Sequence, residues 1–319
     1  MQLAATSKVT PSVSNEEGHL RSVALCRPYH IDISEEAAAS LGFLREATAE
    51  KLRADWDRLR DRLEGFGVTV HDLGLDDGRV ETPALVNRIY TRDIAAVVNK
   101  DVFLGTARYA HRAADFSLGH TQLRKIVPNG TTFISCPVEF GDLLRLRSDT
   151  VLMNFGYRTP SGNRDKVLQI MGEQGITNVG VVQLPRELHT AHLDLGLNVF
   201  GPERMICSSD AAELRVDRYV DGILKDNVDL HHFCSLIGRS LDTLPKHAKL
   251  IADVNFIHLE PDRILTSSRA TTLPGHGREH GIHVETVEID ELLSGGGGIR
   301  CMTCPLERDN LNLNSSVFT

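Results

Sequence analysis

Apolar and polar positions in this chain are organised as a recurring unit. Asp93 is followed by the apolar run Ile94 to Val98, a polar turn at Asn99-Lys100-Asp101 and a second run, Val102-Phe103-Leu104. The same grammar returns at Asp142, with Leu143 to Leu146, a turn at Arg147-Ser148-Asp149, and Val151 to Met153. Asp194 leads Leu195 to Phe200, a turn at Gly201 to Arg204, and Met205 to Cys207; Asp253 leads Val254 to Leu259, a turn at Glu260 to Arg263, and Ile264-Leu265. Each unit reads as an acid at the mouth of a short β-hairpin, because turn formers separate two short apolar runs. The four acids recur at intervals of 49, 52 and 59 residues, long enough for a hairpin plus a covering helix or a long loop. A fifth unit can be split between the ends, with His19 to Leu25 as one strand and the segment around Cys301 completing it. Self-similarity at this period predicts a closed ring of αβ units with acids gathered at its centre; a mixed open sheet is the alternative.

Helical periodicity is clearest after Ser34, an N-cap with Glu35 and Glu36 in the favourable first turn. Leu41, Leu44, Leu52, Trp56, Leu59 and Leu63 follow at helical steps, so one helix is expected up to Gly65 and Gly67. A second is expected from about Asn163 to Gly172, after the Thr159-Pro160 break. Beyond residue 15 no stretch reads as a linker, and the one low-complexity block is four glycines at 295–298. One domain over residues 1–319 is expected, with residues 1–15 as a flexible tail.

Composition narrows the function classes. The 319 residues carry a formal net charge of −8 and 41% apolar residues, an ordinary globular balance with no basic footprint for a phosphate backbone. Nucleic acid is therefore not an expected partner. No cationic leader and no apolar run long enough to span a bilayer is visible, which predicts a cytoplasmic protein without membrane association. Six cysteines are too few for a disulfide scaffold, leaving buried thiols, metal ligands or nucleophiles.

Chemistry concentrates in a few places. Gly295 to Gly298 lead into Ile299-Arg300-Cys301-Met302-Thr303-Cys304, where glycines can seat a thiol in a tight pocket or let the loop move, and Arg300 would favour a thiolate. A buried cysteine in a flexible loop, or a redox or metal motif formed with Cys304, are the other readings. His192 and Asp194 at i and i+2 would share one face of a strand, placing a general acid/base beside an acid. His189 forms HxxH with His192, but no third metal ligand is obvious; His231, His232 and most remaining histidines read as surface or structural. Thr91-Arg92-Asp93 and Glu139-Phe140-Gly141-Asp142 open two repeats. Carboxylates converging from several hairpins need a cation, and a planar guanidinium gripped by two of them leaves its central carbon open to a thiolate. Arg112 lies 19 residues after Asp93 and Arg158 lies 19 after Glu139, so both arginines can project over one mouth and hold a substrate carboxylate.

These residues together resemble the guanidino-group modifying enzymes, and among them bacterial arginine deiminase. The similarity runs from Gly18-His19-Leu20-Arg21 to Arg308-Asp309 through Thr91-Arg92-Asp93, Glu139-Phe140-Gly141-Asp142, Gly156-Tyr157-Arg158-Thr159, His192-Leu193-Asp194 and Arg300 to Pro305. The resemblance implies an α/β fold, the five-bladed pseudosymmetric αβ propeller called the pentein fold, without the extra helical block that arginine deiminases carry before Thr-Arg-Asp. It implies Cys301 as nucleophile, His192 as general acid/base, Glu139 as its partner, Asp93 and Asp194 as the guanidinium clamp, and Arg112 and Arg158 as carboxylate ligands; Arg300 is expected to contact substrate. No metal or cofactor is implied. The expected activity is hydrolysis of arginine or a close derivative to a ureido product, citrulline in the case of arginine, and ammonia; amidino transfer to an amine is the alternative. Phe140 stands where arginine deiminases have glycine, and Gly296 where some members have arginine, which leaves the guanidino substrate open. A homo-oligomer is compatible with the sequence.

Overall fold

In the computed structural model, which describes residues 8–28, 32–74, 87–184, 191–248 and 250–311, five sheets repeat one topology: an antiparallel hairpin joined by a third, parallel strand. From β1 (Leu20–Leu25) the chain passes through α1 (Glu35–Leu41) and α2 (Ala49–Gly65) to β2 (Thr69–Asp72), parallel to β1. A one-turn helix, α3 (Thr91–Ile94), leads into β3 (Ala95–Val98), β4 (Asp101–Leu104), α4 (Ala113–Ile126) and β5 (Phe133–Ser135). The third unit is β6 (Leu143–Arg147), β7 (Thr150–Asn154), α5 (Arg164–Glu173) and β8 (Asn178–Val182). The fourth is β9 (Leu197–Val199) and β10 (Arg204–Cys207); after an added hairpin, β11 (Arg215–Val220) and β12 (Ile223–Asp229), α6 (Leu230–Leu236) leads to β13 (Ser240–Thr243), parallel to β10. The added hairpin extends the third sheet, with β11 antiparallel to β8. In the fifth, α7 (Leu250–Asp253) precedes β14 (Ile257–Glu260), β15 (Arg263–Ser267), α8 (Leu273–His280) and β16 (His283–Val287). Finally β17 (Cys304–Arg308) pairs antiparallel with β1, completing the first blade from the far end of the chain. This is the five-bladed αβ propeller, and the open-sheet alternative is set aside.

Helices recur between the second and third strands because parallel strands need a long crossover. Each crossover buries one stripe: α2 buries Leu52, Trp56, Leu59 and Leu63, which share a core with Leu20, Val23 and Leu25 of β1. The single helix expected from Ser34 to Gly65 is in fact two. Gly42 takes the left-handed conformation at φ 81° and caps α1, and Phe43 and Ala47 anchor the connection in the core. Leu44 fits the helical period but is 62% exposed on that connection. Expected residues 163–172 correspond to α5.

The repeat acids sit in single helical turns just ahead of their hairpins, not on the strands. Asp93 lies in α3, Asp142 in the turn Phe140–Asp142, Asp194 in the turn Leu193–Leu195 and Asp253 in α7. Asp253 does not join a central cluster: its Oδ1 accepts the backbone N–H groups of Thr271, Thr272 and Leu273 and caps the start of α8. Of the expected N-terminal tail, residues 8–15 are pinned. The Val9 N–H donates to Ile126, Ser12 to Leu306 and Val13 to Asn99, and Val9 and Val13 are buried. Among the described residues no helix is long and apolar enough to cross a membrane.

Candidate active site

Asp93, Arg112, Arg158, His192 and Cys301 line one cavity of about 590 Å³, roofed in part by Gly295, Gly296 and Gly297 and bordered by Leu41 and Leu44. Glu139, Asp194 and Arg300 lie directly behind that lining, fully buried. The eight residues singled out from sequence are thus in one neighbourhood, in two layers.

Local sequence explains how Cys301 reaches the cavity. A Cβ on Gly297 would lie 2.6 Å from the Tyr90 ring and 3.0 Å from Cys301 Cβ, and one on Gly298 would lie 2.2 Å from the Ile251 carbonyl. The glycine run is therefore a close-packed seat for the thiol. Thr91 and Arg92 hold its other side: Thr91 Oγ1 donates to the Met302 carbonyl at 2.8 Å and the Arg92 N–H to the Cys301 carbonyl at 3.1 Å. Asn255 Nδ2 lies 3.1 Å from Cys301 Sγ, while Asn255 Oδ1 accepts the Cys301 N–H at 3.0 Å. Sγ lies 3.6 Å from Asp194 Oδ2.

Electrostatics oppose a thiolate before substrate arrives. Burial, reinforced by Asp194 and Asp93, pushes the Cys301 thiol well above its ordinary value. Arg300, expected to favour the thiolate, does not line the cavity; its Nη1 donates to Asp194 at 2.8 Å and its Nη2 to Glu16 at 2.8 Å and to the Leu143 carbonyl. Its charge is neutralised at close range, so its pull on sulfur is weak. Glu16 in turn lies 3.8 Å from Arg92 and is held down to about 2: burial opposes its charge, and Arg300 and Arg92 more than offset that.

His192 is not on a strand. Its extended backbone precedes the turn containing Asp194, so the two do not share a strand face: His192 meets Glu139 and Asp93, and Asp194 meets Arg300 and Cys301. The imidazole Nε2 lies 3.0 Å from Glu139 and Nδ1 lies 3.5 Å from Asp93. Burial disfavours the imidazolium, but Asp93 and Glu139 outweigh it and raise His192 to about 9. The reciprocal holds for Glu139, where His192, Arg158 and Arg112 override burial and bring the carboxyl to about 2. Gly141 permits the approach, since a Cβ there would sit 2.7 Å from His192 Cγ. Asp142 fixes the following residue by accepting the Leu193 N–H at 3.1 Å.

The arginines differ. Arg158 Nε donates to Glu139 at 2.9 Å and its guanidinium lies 5.4 Å from the centre of the Tyr109 ring, at the solvent side of the site. Arg112 lines the cavity but directs Nη1 to Asp93, Nε to Asp115 and Nη2 to the Asn87 carbonyl, so it first serves as the counter-ion of Asp93.

Sequence reasoning missed Asn255, Asp115 and Glu16. Asn255 left a trace, a polar residue interrupting the apolar run after Asp253. Glu16 left none, because its partner Arg300 is distant in sequence, whereas Asp115 stands one helical turn after Arg112, an i, i+3 spacing from which the pair could have been read. The CxxC reading is set aside: Cys304 Sγ lies 3.3 Å from the Ala95 carbonyl, away from the Cys301 partners, and the six cysteines are free and buried. His189 lies outside the described residues.

The chain is similar in sequence and fold to several known proteins. Residues 65–308 match the family model for arginine deiminase. The arginine deiminase of Rhodococcus erythropolis is 25% identical over 71% of this chain and 61% of its own length, so the chain spans under two thirds of that relative. The uncharacterised protein YkgA of Bacillus subtilis is 22% identical over 92% of this chain and 94% of its own. Among solved structures, Pseudomonas aeruginosa dimethylarginine dimethylaminohydrolase complexed with citrulline has a TM-score of 0.69 at 14% identity, covering 90% of this chain and 99% of that one. The substrate-bound N-terminal domain of ArgZ, a cyanobacterial arginine dihydrolase, has a TM-score of 0.67 at 16% identity, covering 91% and 99%.

Proposed function

The chain belongs to the arginine deiminase family, and from that membership we propose that it hydrolyses the guanidino group of arginine or a close arginine derivative through a covalent amidino-cysteine intermediate. The observation that carries this reading is one cavity lined by the Cys301 thiol, the His192 imidazole and the Asp93 carboxylate, with Glu139 and Asp194 directly behind that lining. That related folds accommodate citrulline or an arginine dihydrolase substrate supports it. The reading treats residues 1–319 as one catalytic domain acting on a small molecule, with a cytoplasmic location consistent with six free cysteines.

The electrostatics suggest how the reaction starts. A guanidinium seated against Asp93 and Asp194 neutralises the potential that keeps Cys301 protonated, so substrate binding itself lowers the thiol into the reactive range. The thiol proton passes to water, and the thiolate attacks the guanidinium carbon and forms a tetrahedral adduct. Protonated His192 passes a proton to the departing nitrogen, the C–N bond breaks and ammonia leaves. Neutral His192 then takes a proton from water as the water oxygen adds to the amidino carbon. Collapse of this second adduct breaks the C–S bond, the hydroxyl proton leaves to water as the C=O forms, and the thiolate is returned with a ureido product. Glu139 holds the imidazole in orientation throughout, and Arg158 is positioned to receive a substrate carboxylate.

The test is incubation of purified protein with arginine, agmatine, guanidinoacetate and methylated arginines, reading ureido product and ammonia, beside Cys301→Ala. Product in water alone supports hydrolysis. Product that requires an added amine moves the protein to amidino transfer, and full turnover by Cys301→Ala removes the covalent mechanism.

A further inference from the structure

We propose that Asp242, His276 and His280 form a binding site for one zinc-class divalent ion, outside the reaction centre and bridging two blades. Asp242 lies on β13 of the fourth blade; His276 and His280 are one helical turn apart on α8 of the fifth. Both imidazoles present Nε2 to the same oxygen: Asp242 Oδ2 lies 3.3 Å from His276 Nε2 and 3.7 Å from His280 Nε2. The three ligand atoms lie within 4.8 Å of one another. Metal–ligand bonds of ~2.0–2.1 Å in tetrahedral geometry place neighbouring ligand atoms roughly 3.3–3.4 Å apart, and the two distances from Asp242 to the histidines are close to that.

The surroundings fit an ion of this type. Phe200, fully buried, packs against His276 at 5.2 Å and His280 at 6.3 Å between ring centres, so both rings are held against an apolar wall. Glu279, largely exposed, lies 3.9 Å from His276 Nδ1, longer than a hydrogen bond but within reach of one if its side chain turns toward the ring. Arg204 lies 3.4 Å from Asp242 Oδ2; it orients the carboxylate and lessens its negative charge. Partial exposure of all three side chains leaves a coordination position open to water. Two imidazoles and one carboxylate select late first-row divalent ions over magnesium or calcium, which prefer all-oxygen sites. The proposal departs from the expectation that most of the remaining histidines are surface or structural residues.

The experiment titrates the metal-stripped full chain with Zn²⁺ by calorimetry and with Co²⁺ as a visible-absorption probe, reading melting temperature alongside. Expected are one ion per chain at this site, a rise in melting temperature, and affinity at least ~100-fold weaker in both His276→Ala and Asp242→Asn, since even outer-shell losses cost 10–100-fold. Glu279→Gln should weaken binding about ten-fold. His192→Ala controls for the other cluster, Asp93, Glu139 and His192, and should leave this binding intact. Absence of binding, unchanged binding in His276→Ala and Asp242→Asn, or loss of all binding in His192→Ala would overturn the proposal. A hydrogen bond between His276 and Asp242, with His280 3.7 Å from the same carboxylate, would then account for the cluster.

Discussion

Asn255 holds Cys301 at both ends, through the side-chain amide to sulfur at 3.1 Å and through the amide oxygen to the backbone N–H at 3.0 Å. The amide is thus a donor aimed at the place where negative charge develops when the thiol ionises. A hydrogen bond to a charged group contributes ~1.5–3 kcal/mol, so Asn255→Ala should lower kcat by roughly 10- to 100-fold. It should also slow alkylation of Cys301 at fixed pH. Unchanged alkylation kinetics would show that the amide does not act on sulfur.

Arg300 is the only arginine in direct contact with Asp194 among the described residues, and it also neutralises Glu16. Arg300→Met leaves two carboxylates buried with reduced compensation, and such losses typically cost about 3–5 kcal/mol of stability. Denaturant unfolding should register this, and adding Glu16→Gln should recover part of it. No recovery in the double variant would separate Glu16 from the network.

The pH dependence follows from His192 and Glu139. Because His192 is raised from 6.5 to about 9, its protonated form stabilises the fold fully below pH 6.5, and that contribution is lost as pH rises through about 9. Glu139 behaves in the opposite sense: its contribution is present above 4.5 and is lost as pH falls through about 2. The alkaline limb of kcat/KM should therefore lie near pH 9 and move toward neutrality in Glu139→Gln. A limb that stays in place would assign it to a group other than His192.

Gly141→Ala adds a methyl 2.7 Å from His192 Cγ and 3.0 Å from Asp93 Oδ1. The imidazole must move, and a displacement of about 1 Å at a reacting group can cost ~100-fold in rate. We expect kcat to fall by about that factor while circular dichroism stays native. Wild-type turnover would mean that the ring has room the structure does not indicate.

Arg158→Ala should raise KM for arginine at least ten-fold more than KM for agmatine, which has no carboxylate. A bidentate arginine–carboxylate pair is the physical basis. Equal effects on both substrates would instead point to Arg158 acting through Glu139, with which it is paired.

Much of this was visible in the chain itself. The hairpins after Asp93, Asp142, Asp194 and Asp253 were legible because turn formers punctuate apolar runs at a steady period, and the split fifth unit followed from the remaining strand at each end. The break at Gly42 was not, since Leu44 fits a helical period that tertiary packing then ignores. Nor was the burial of Arg300: a charge beside a nucleophile in sequence looks catalytic until Asp194 and Glu16 arrive from 106 and 284 positions away. The β11–β12 extension went unread because its second strand is exposed and lacks an apolar face.

The pairing of β1 with β17 has a bearing on biosynthesis. Cys301 lies three positions before the strand that closes the ring, so both leave the ribosome after every other blade is available to fold. A nascent or prematurely terminated polypeptide lacking this segment carries the acids and the imidazole without Cys301, and β1 is left without its antiparallel neighbour.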